Sequence, residues 1–302
     1  MNWDVVGVGA SCIDHVCRMP VFPVAGTDRS KIRLTSESVM CGGQTATALA
    51  ACRAFGLRTK YVGAVGDDES GARISRELQA RGIDTTDVVR VPGVPSATAT
   101  ILIDDTGDRL VLWHRDPALV TALARLPIDA IRTARLVHVD DVDEQAAVAS
   151  AKMARDGGAI VTCDIDHVTP RTAELMSLVS MPIFAEHLPR ELTGEPDIER
   201  ALRILRRRHP GLLVVTLGDR GAAALDREAF VQAPACRVDA VDTTGAGDVF
   251  RAGFIYAVLQ GLPIAETLRL ANAAAAAKCM RLGAMGGVPS FEAVRALLTR
   301  AH

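Results

Sequence analysis

The chain has 302 residues, 49% of them hydrophobic and only 4% aromatic, so its core must be aliphatic. Lys and Arg number 34 against 36 Asp and Glu, a net charge of -2, which leaves no basic field to draw nucleic acid or a membrane surface. The seven cysteines are odd in number and scattered, without a Cys-x-x-Cys pair or zinc-ligand spacing, a usage that fits a reducing cytoplasm.

The first residues carry no basic region ahead of their apolar run, and Asp4 sits where a signal peptide needs positive charge. No apolar run is long enough to span a bilayer. Residues 3–10, "WDVVGVGA", read as a buried first strand. An alanine-rich helix follows over 43–56, then a strand over 59–66 and a helix over 68–82 with a glycine stop. Strands at 135–140 and 158–166 flank a helix at about 143–156. The run Arg206-Arg207-Arg208 decorates the end of a surface helix before the next strand, 212–218. Two helices broken at "QGLP" (260–263) fill 247–281, and a last helix covers about 290–301. This alternation predicts an α/β fold, one large domain over 1–302, with a mostly parallel sheet and helices on both faces.

Two segments break the rhythm. Residues 12–40 carry little helical period, and residues 96–115 hold alternating strands around the turn Asp105-Thr106-Gly107-Asp108, a hairpin signal. The two are expected to pair into one small antiparallel sheet beside the main domain. Its exposed face suits a lid, a dimer surface, or both.

The stretch "VDTTGAGDVFRAGF" (241–254) is the most specific in the chain. Gly245 and Gly247 lack Cβ atoms, so backbone N–H groups there can converge on an anion. The helix that follows aims its positive dipole end at the same point. Asp248 falls in the first turn of that helix, where its carboxylate is expected to stay ionised and to accept a proton from an attacking hydroxyl. The plainer alternative is a capped helix start at a tight turn. No Gly-x-x-x-x-Gly-Lys-Ser/Thr occurs, which excludes a P-loop kinase.

"DTTGAGDVFRAGF" resembles the C-terminal signature of the ribokinase-like (PfkB) carbohydrate kinases. Asp14 in "VGVGASCID", Gly42-Gly43 in "CGGQTATALAA", "YVGAVGDDESG" and "VVTLGDRGA" fall in that family's order, so the resemblance covers essentially the whole chain. It implies ATP-dependent phosphorylation of a sugar-type hydroxyl, a Rossmann-like sheet, Mg²⁺, and a β-lid that also forms a homodimer. By position, Asp248 resembles the catalytic base, and the backbone of Gly245, Ala246 and Gly247 the anion hole. Asp242 resembles a ligand of a monovalent cation (K⁺), with Thr244, Arg281, Ala284 and Ser290 as weaker matches. Thr216, Gly218 and Gly221 resemble the nucleotide loop. Asn272 is either an adenine or ribose neighbour or a polar spot on a buried helix.

On the substrate side, Asp14 follows the first strand, where open α/β sheets bind ligands. Gly42 and Gly43 would let a polyol approach backbone. Lys31, Arg33, Arg115 and Asp116 belong to the lid segments, as substrate contacts or as solvated charges. The sequence departs from the family at two points. Thr47 stands where a sugar-binding Asn is expected, and Ala185 and Leu188 stand where Asn-x-x-Glu is usual. Glu186 and Glu191 are then the nearby acids that could substitute in organising the metal-nucleotide, Glu186 the better placed at the end of the strand "MPIFAE", with Asp164 and Asp166 able to hold Mg²⁺ through water. The combination "GGxxATA", "DxDxTP", Glu186 and "KCMRLG" resembles the branch that includes sulfofructose kinases, but Asp140-Asp141 and Trp113 replace groups that such a substrate calls for.

The reading that follows is an ATP-dependent kinase for a sugar or sugar-derived molecule, with a small-molecule partner and no nucleic acid or membrane. Three others stay open: a nucleoside kinase of the same fold, a non-catalytic sugar-binding protein, and a dinucleotide oxidoreductase suggested by "GVGASC". The last lacks the third glycine of the fingerprint.

Overall fold

The computed structural model describes residues 3–300. In chain order the elements are β1 (Val5–Val8), β2 (Cys12–Arg18), β3 (Ser36–Gly42), α1 (Gln44–Ala54), β4 (Thr59–Val62), β5 (Ala64–Gly66), α2 (Glu69–Ala80), β6 (Val89–Val91), β7 (Thr98–Ile103) and β8 (Arg109–His114). There follow α3 (Ile128–Thr133), β9 (Leu136–Asp140), α4 (Glu144–Asp156), β10 (Ile160–Ile165), α5 (Thr172–Leu178), β11 (Met181–Phe184), α6 (Leu188–Thr193) and α7 (Ile198–Arg206). The chain closes with β12 (Leu213–Thr216), β13 (Ala222–Asp226), β14 (Ala229–Ala233), α8 (Ala246–Leu259), α9 (Ile264–Cys279) and α10 (Phe291–Arg300). The last helix was expected to reach 301, a position outside the described residues.

Eight strands form the main sheet, in the order β14-β13-β12-β11-β10-β9-β1-β4. From β12 to β4 all neighbours are parallel, so both faces need helices, and the strands read as unbroken apolar runs. Val5, Val6 and Val8 are wholly buried. The edge pair β13 and β14 runs antiparallel, a hairpin that the sequence reading did not anticipate. Alanine-rich "AAALD" carries no strand propensity, and only the short link after β12, too brief for a crossover, forces the reversal. The predicted strand 59–66 splits at Gly63 into β4 and β5, and β5 pairs with β6 in a separate two-stranded sheet.

Small residues set the helix spacing. A Cβ on Gly253 of α8 would lie 2.9 Å from the Ala271 Cα of α9, so these two helices touch almost backbone to backbone. Helix α2 is fixed by Asp68, which caps Gly71 N–H (2.7 Å) and also accepts from Ser96 N–H (2.8 Å) and the Ser96 hydroxyl (2.6 Å). That carboxylate thereby ties α2 to the approach of β7.

The two irregular segments do meet, in a four-stranded sheet of order β3-β2-β7-β8. It is mixed rather than antiparallel: β2 and β7 run parallel, because each enters the sheet from the main domain in the same sense. One face carries Asp14, Val16, Ala99, Ile101, Val111 and Trp113 by register. Val16, Ala99, Ile101 and Ile103 pack with Leu282, so that face turns towards the loop after α9.

Candidate active site

Between the small sheet and the carboxyl ends of the main strands lies a cavity of about 770 Å³. Asp14, Gly43, Thr244, Gly245 and Asp248 line it, so it gathers the core of the predicted site. Gly245 is the residue before α8, left-handed at φ +79°, and offers no side-chain cap to the helix. Thr244, Gly245 and Asp248 bring this N-terminus to the cavity, where an anion would sit, although Ala246 N–H donates to Thr243 O at 3.1 Å. A Cβ at Gly245 would meet Ala284 Cα at 2.9 Å, and one at Gly247 would meet an Arg251 guanidinium nitrogen at 2.7 Å.

Asp248 lines the cavity from the first turn of α8. Burial pushes its carboxyl up to about 7; Arg251 opposes the rise, and Asp166 and Asp14 add to it. The dipole does not hold the group at an ordinary carboxylate value, as the sequence suggested. Its value sits instead near neutral pH, where a general base works best. Asp14 is almost wholly buried in β2, and burial pushes it up to about 6 against the thiol of Cys12, which donates to it at 3.1 Å.

Asp242 does not reach the cavity. Its carboxylate accepts from Thr244 N–H (2.8 Å) and Gly283 N–H (2.7 Å), tying the glycine turn to the loop after α9. Burial would raise Asp242, but Lys278 and these donors outweigh it and hold the carboxylate below its ordinary value. The hydroxyl of Thr244 is buried without a partner among the described residues.

Several predicted residues play other parts. Asp164 is buried against Arg251, whose guanidinium pairs with it and lies 3.6 Å from Asp166, so Asp164 is in no position to hold Mg²⁺. Asp166 takes the cavity position instead. Glu186 is exposed beyond β11 and pairs with Arg220. Thr47 is fully buried inside α1 and does not line the cavity. Gly42 makes room for Asp14 itself rather than for a polyol: a Cβ there would meet its Oδ2 at 2.0 Å. Gly43, at φ +100°, lets the backbone pass Ser11. Arg115 borders the cavity, but its guanidinium donates to Val142 O (2.8 Å) and Leu119 O and braces the foot of the lid. Lys31 lies apart, in a hollow of about 660 Å³ lined by Met19, Arg33 and Leu102.

On the nucleotide side, Thr216 ends β12 and Gly218, at φ +59°, opens the turn to β13. A Cβ on Gly221 would strike Ala233 O at 2.1 Å, so its glycine serves close packing of the β14 exit. Asn272 donates to Ala233 O and Pro234 O, each at 3.0 Å, and is the polar spot of a buried helix, fastening that same exit. A second cavity, about 880 Å³, lies between residues 234–239 and helices α9 and α10 and touches none of these four.

The sequence reading missed Gln44, which lines the cavity and donates to Asp166 at 3.0 Å. It also missed Asp141, whose carboxylate accepts from Asp166 N–H and His167 N–H at 2.8 Å each and is pushed up to about 6 by burial and by Asp140. Arg109 joins them from the lid. Hairpin alternation places Arg109, Val111 and Trp113 on one face, so that signal was available. Asp140 itself, wholly buried, accepts from Ala10 N–H (2.6 Å) and the Thr45 hydroxyl (2.7 Å) and fixes the first loop.

The model of the pfkB family of carbohydrate kinases matches residues 5–290. A nucleoside kinase of Methanothermobacter thermautotrophicus is 28% identical over 277 residues, covering 90% of this chain and 88% of that protein. Among solved structures, a provisionally named ribokinase from Agrobacterium tumefaciens superposes with a TM-score of 0.92 at 30% identity, covering 100% of this chain and 99% of the other. The Arabidopsis thaliana ribokinase, solved with ribose and ATP, gives 0.83 at 25% identity over 99% of each chain.

Proposed function

The chain belongs to the pfkB family of carbohydrate kinases, phosphotransferases that act on hydroxyl groups, and on that premise we propose a specific division of labour among its residues. ATP donates its γ-phosphoryl group to a hydroxyl of a sugar or sugar-derived molecule. Asp248 accepts the proton of that hydroxyl as its oxygen attacks phosphorus, and ADP departs. The N–H groups at Gly245 and Gly247, with that of Ala246 turning from Thr243 O, receive the equatorial oxygens, whose charge grows in transit. Asp14, across the cavity, accepts hydrogen bonds from the acceptor's other hydroxyls. The observation that carries the reading is the pairing of an uncapped α8 N-terminus with the Asp248 carboxyl in one cavity.

Thr216 and Gly218 suit the approach of the nucleotide to backbone. No group of three or more metal-ligating side chains occurs among the described residues. Mg²⁺ usually binds through substrate phosphates and one or two carboxylates, for which Asp166 and the exposed Glu186 are the fitting acids. The metal's part is to neutralise the phosphate charge.

The second reading, a nucleoside acceptor, is favoured by Trp113, the one Phe, Tyr or Trp ring lining the cavity among the described residues. Its face suits a base. A coupled ADP-release screen with Mg-ATP over hexoses, pentoses, sugar acids, sulfosugars and nucleosides tests both. Stimulation by a sugar supports the first reading, and stimulation by nucleosides alone supports the second. If no hydroxyl compound stimulates ADP release, the non-catalytic reading stands.

We also place a homodimer interface on the small sheet. β8 is exposed along its length, with Leu110 at 50% and Leu112 at 61% on the face away from the cavity. Apolar residues on an open sheet edge call for a partner. A reducing cytoplasm suits the seven free cysteines.

A further inference from the structure

Lys278 is completely buried in the last turn of α9, beneath the glycine turn. Its ammonium donates to Asp242 O at 2.7 Å and to Arg281 O at 3.2 Å, and it lies 3.7 Å from the Asp242 carboxylate. Carbonyl and carboxylate oxygens of this kind are also what a small monovalent cation at Asp242 would draw on. Each oxygen of that carboxylate also accepts one N–H, from Thr244 and from Gly283. The loop leaves little slack either, since a Cβ on Gly287 would come within 2.9 Å of Lys278 Cε. A K⁺ at Asp242, which the family resemblance implied, would have to compete with the Lys278 ammonium for the Asp242 and Arg281 carbonyls.

We propose that the Lys278 ammonium is a built-in cation that takes the place of K⁺, making the enzyme independent of monovalent cations. The proposal rests on the kinase reading above and concerns how its anion hole is held. An ammonium carries the same unit charge as K⁺ and offers three donors to oxygens. It sits at the carbonyl end of α9, where a cation is favoured. It joins the backbone at Asp242, which opens the glycine turn, to that at Arg281, which opens the loop against Gly245. Lys278 is thus a positioning residue. Its charge lies behind the turn that receives the phosphoryl group and cannot be washed out or exchanged.

Two measurements on the unmodified protein test this without a variant. ADP formation with a productive acceptor is measured in tetramethylammonium buffer, with and without KCl or NH₄Cl. The rate is expected to stay within about twofold. In parallel, the Tm of the acceptor-free protein is expected not to rise when KCl replaces tetramethylammonium chloride. A K⁺ stimulation of roughly tenfold, or a saturable rise in Tm with K⁺, overturns the proposal.

In Lys278→Ala, kcat is expected to fall at least about tenfold with a smaller change in acceptor KM, and to recover in part with K⁺ or NH₄⁺. Activity equal to the unmodified enzyme in K⁺-free buffer contradicts the assignment, as does a folded Lys278→Ala whose lost turnover neither ion restores. Absence of turnover by the unmodified protein in every salt would count against the kinase reading instead, and the Tm comparison would still decide the cation question.

Discussion

Asp248 carries two opposed demands, one chemical and one structural. In its proposed role as base it must be ionised, while its surroundings resist that charge and push it up to about 7. Turnover at saturating ATP is therefore expected to rise with pH up to about neutrality and then level off, with an acidic limb set by Asp248. A pH profile of kcat/KM checks this. The stability sign follows from the same shift. The folded value lies above the ordinary carboxylate value of 3.8, so the contribution from protonated Asp248 is full below about pH 4 and is lost as pH rises through 7. At pH 8 the ionised group costs stability, and Asp248→Asn should raise Tm there by an amount worth about 1 kcal/mol, and by less at pH 5. A lower Tm for the variant at pH 8 would mean that Arg251 stabilises the charge more than burial penalises it.

The start of α8 is where turn, helix and neighbouring loop must agree. Gly245 is left-handed and touches Ala284, so Gly245→Val places a β-branched side chain where both φ and space forbid it. Thermal melts should show a loss of about 2–4 kcal/mol. In the fraction that folds, kcat should fall more than the KM for ATP rises if, as proposed, the turn meets the phosphoryl group in transit. An equal change in both would assign the turn to ground-state binding. This element was legible in the sequence because its constraints are local: a glycine turn, a helix start and an acid at fixed spacing. The acids of β10 were not. Strand alternation puts Asp164 and Asp166 on one face, but β10 ends at Ile165, so Asp166 leaves the pleat for the cavity while Asp164 stays under Arg251. Where a strand ends depends on its neighbours, which lie far away in sequence.

At the scale of the whole molecule, the small sheet closes the site with one face and presents Leu110 and Leu112 on the other. Leu112→Asp is expected to shift sedimentation from dimer to monomer while leaving the cavity face intact. A monomeric unmodified protein, or an unaffected dimer, would refute that interface. Alternation over 96–115 and the poor helical pattern of 12–40 were enough to predict that the two segments form one sheet. The parallel union of β2 and β7 was beyond the sequence, because strand direction is set by how each segment leaves the main domain. Substrate contacts were the least legible part. Lys31 and Thr47 carry suitable chemistry, but one lies in a separate hollow and the other is wholly buried; Gln44, Asp141 and Arg109 come to the cavity from three separate elements or loops.

The central claim is that Asp248 takes the proton from the acceptor hydroxyl. The most direct test compares Asp248→Asn with the unmodified enzyme on an acceptor found by the ADP-release screen, with acceptor binding followed by calorimetry. Binding should persist while turnover falls by about 10²–10⁴-fold. Turnover within a few-fold of the unmodified enzyme would remove Asp248 from the chemistry.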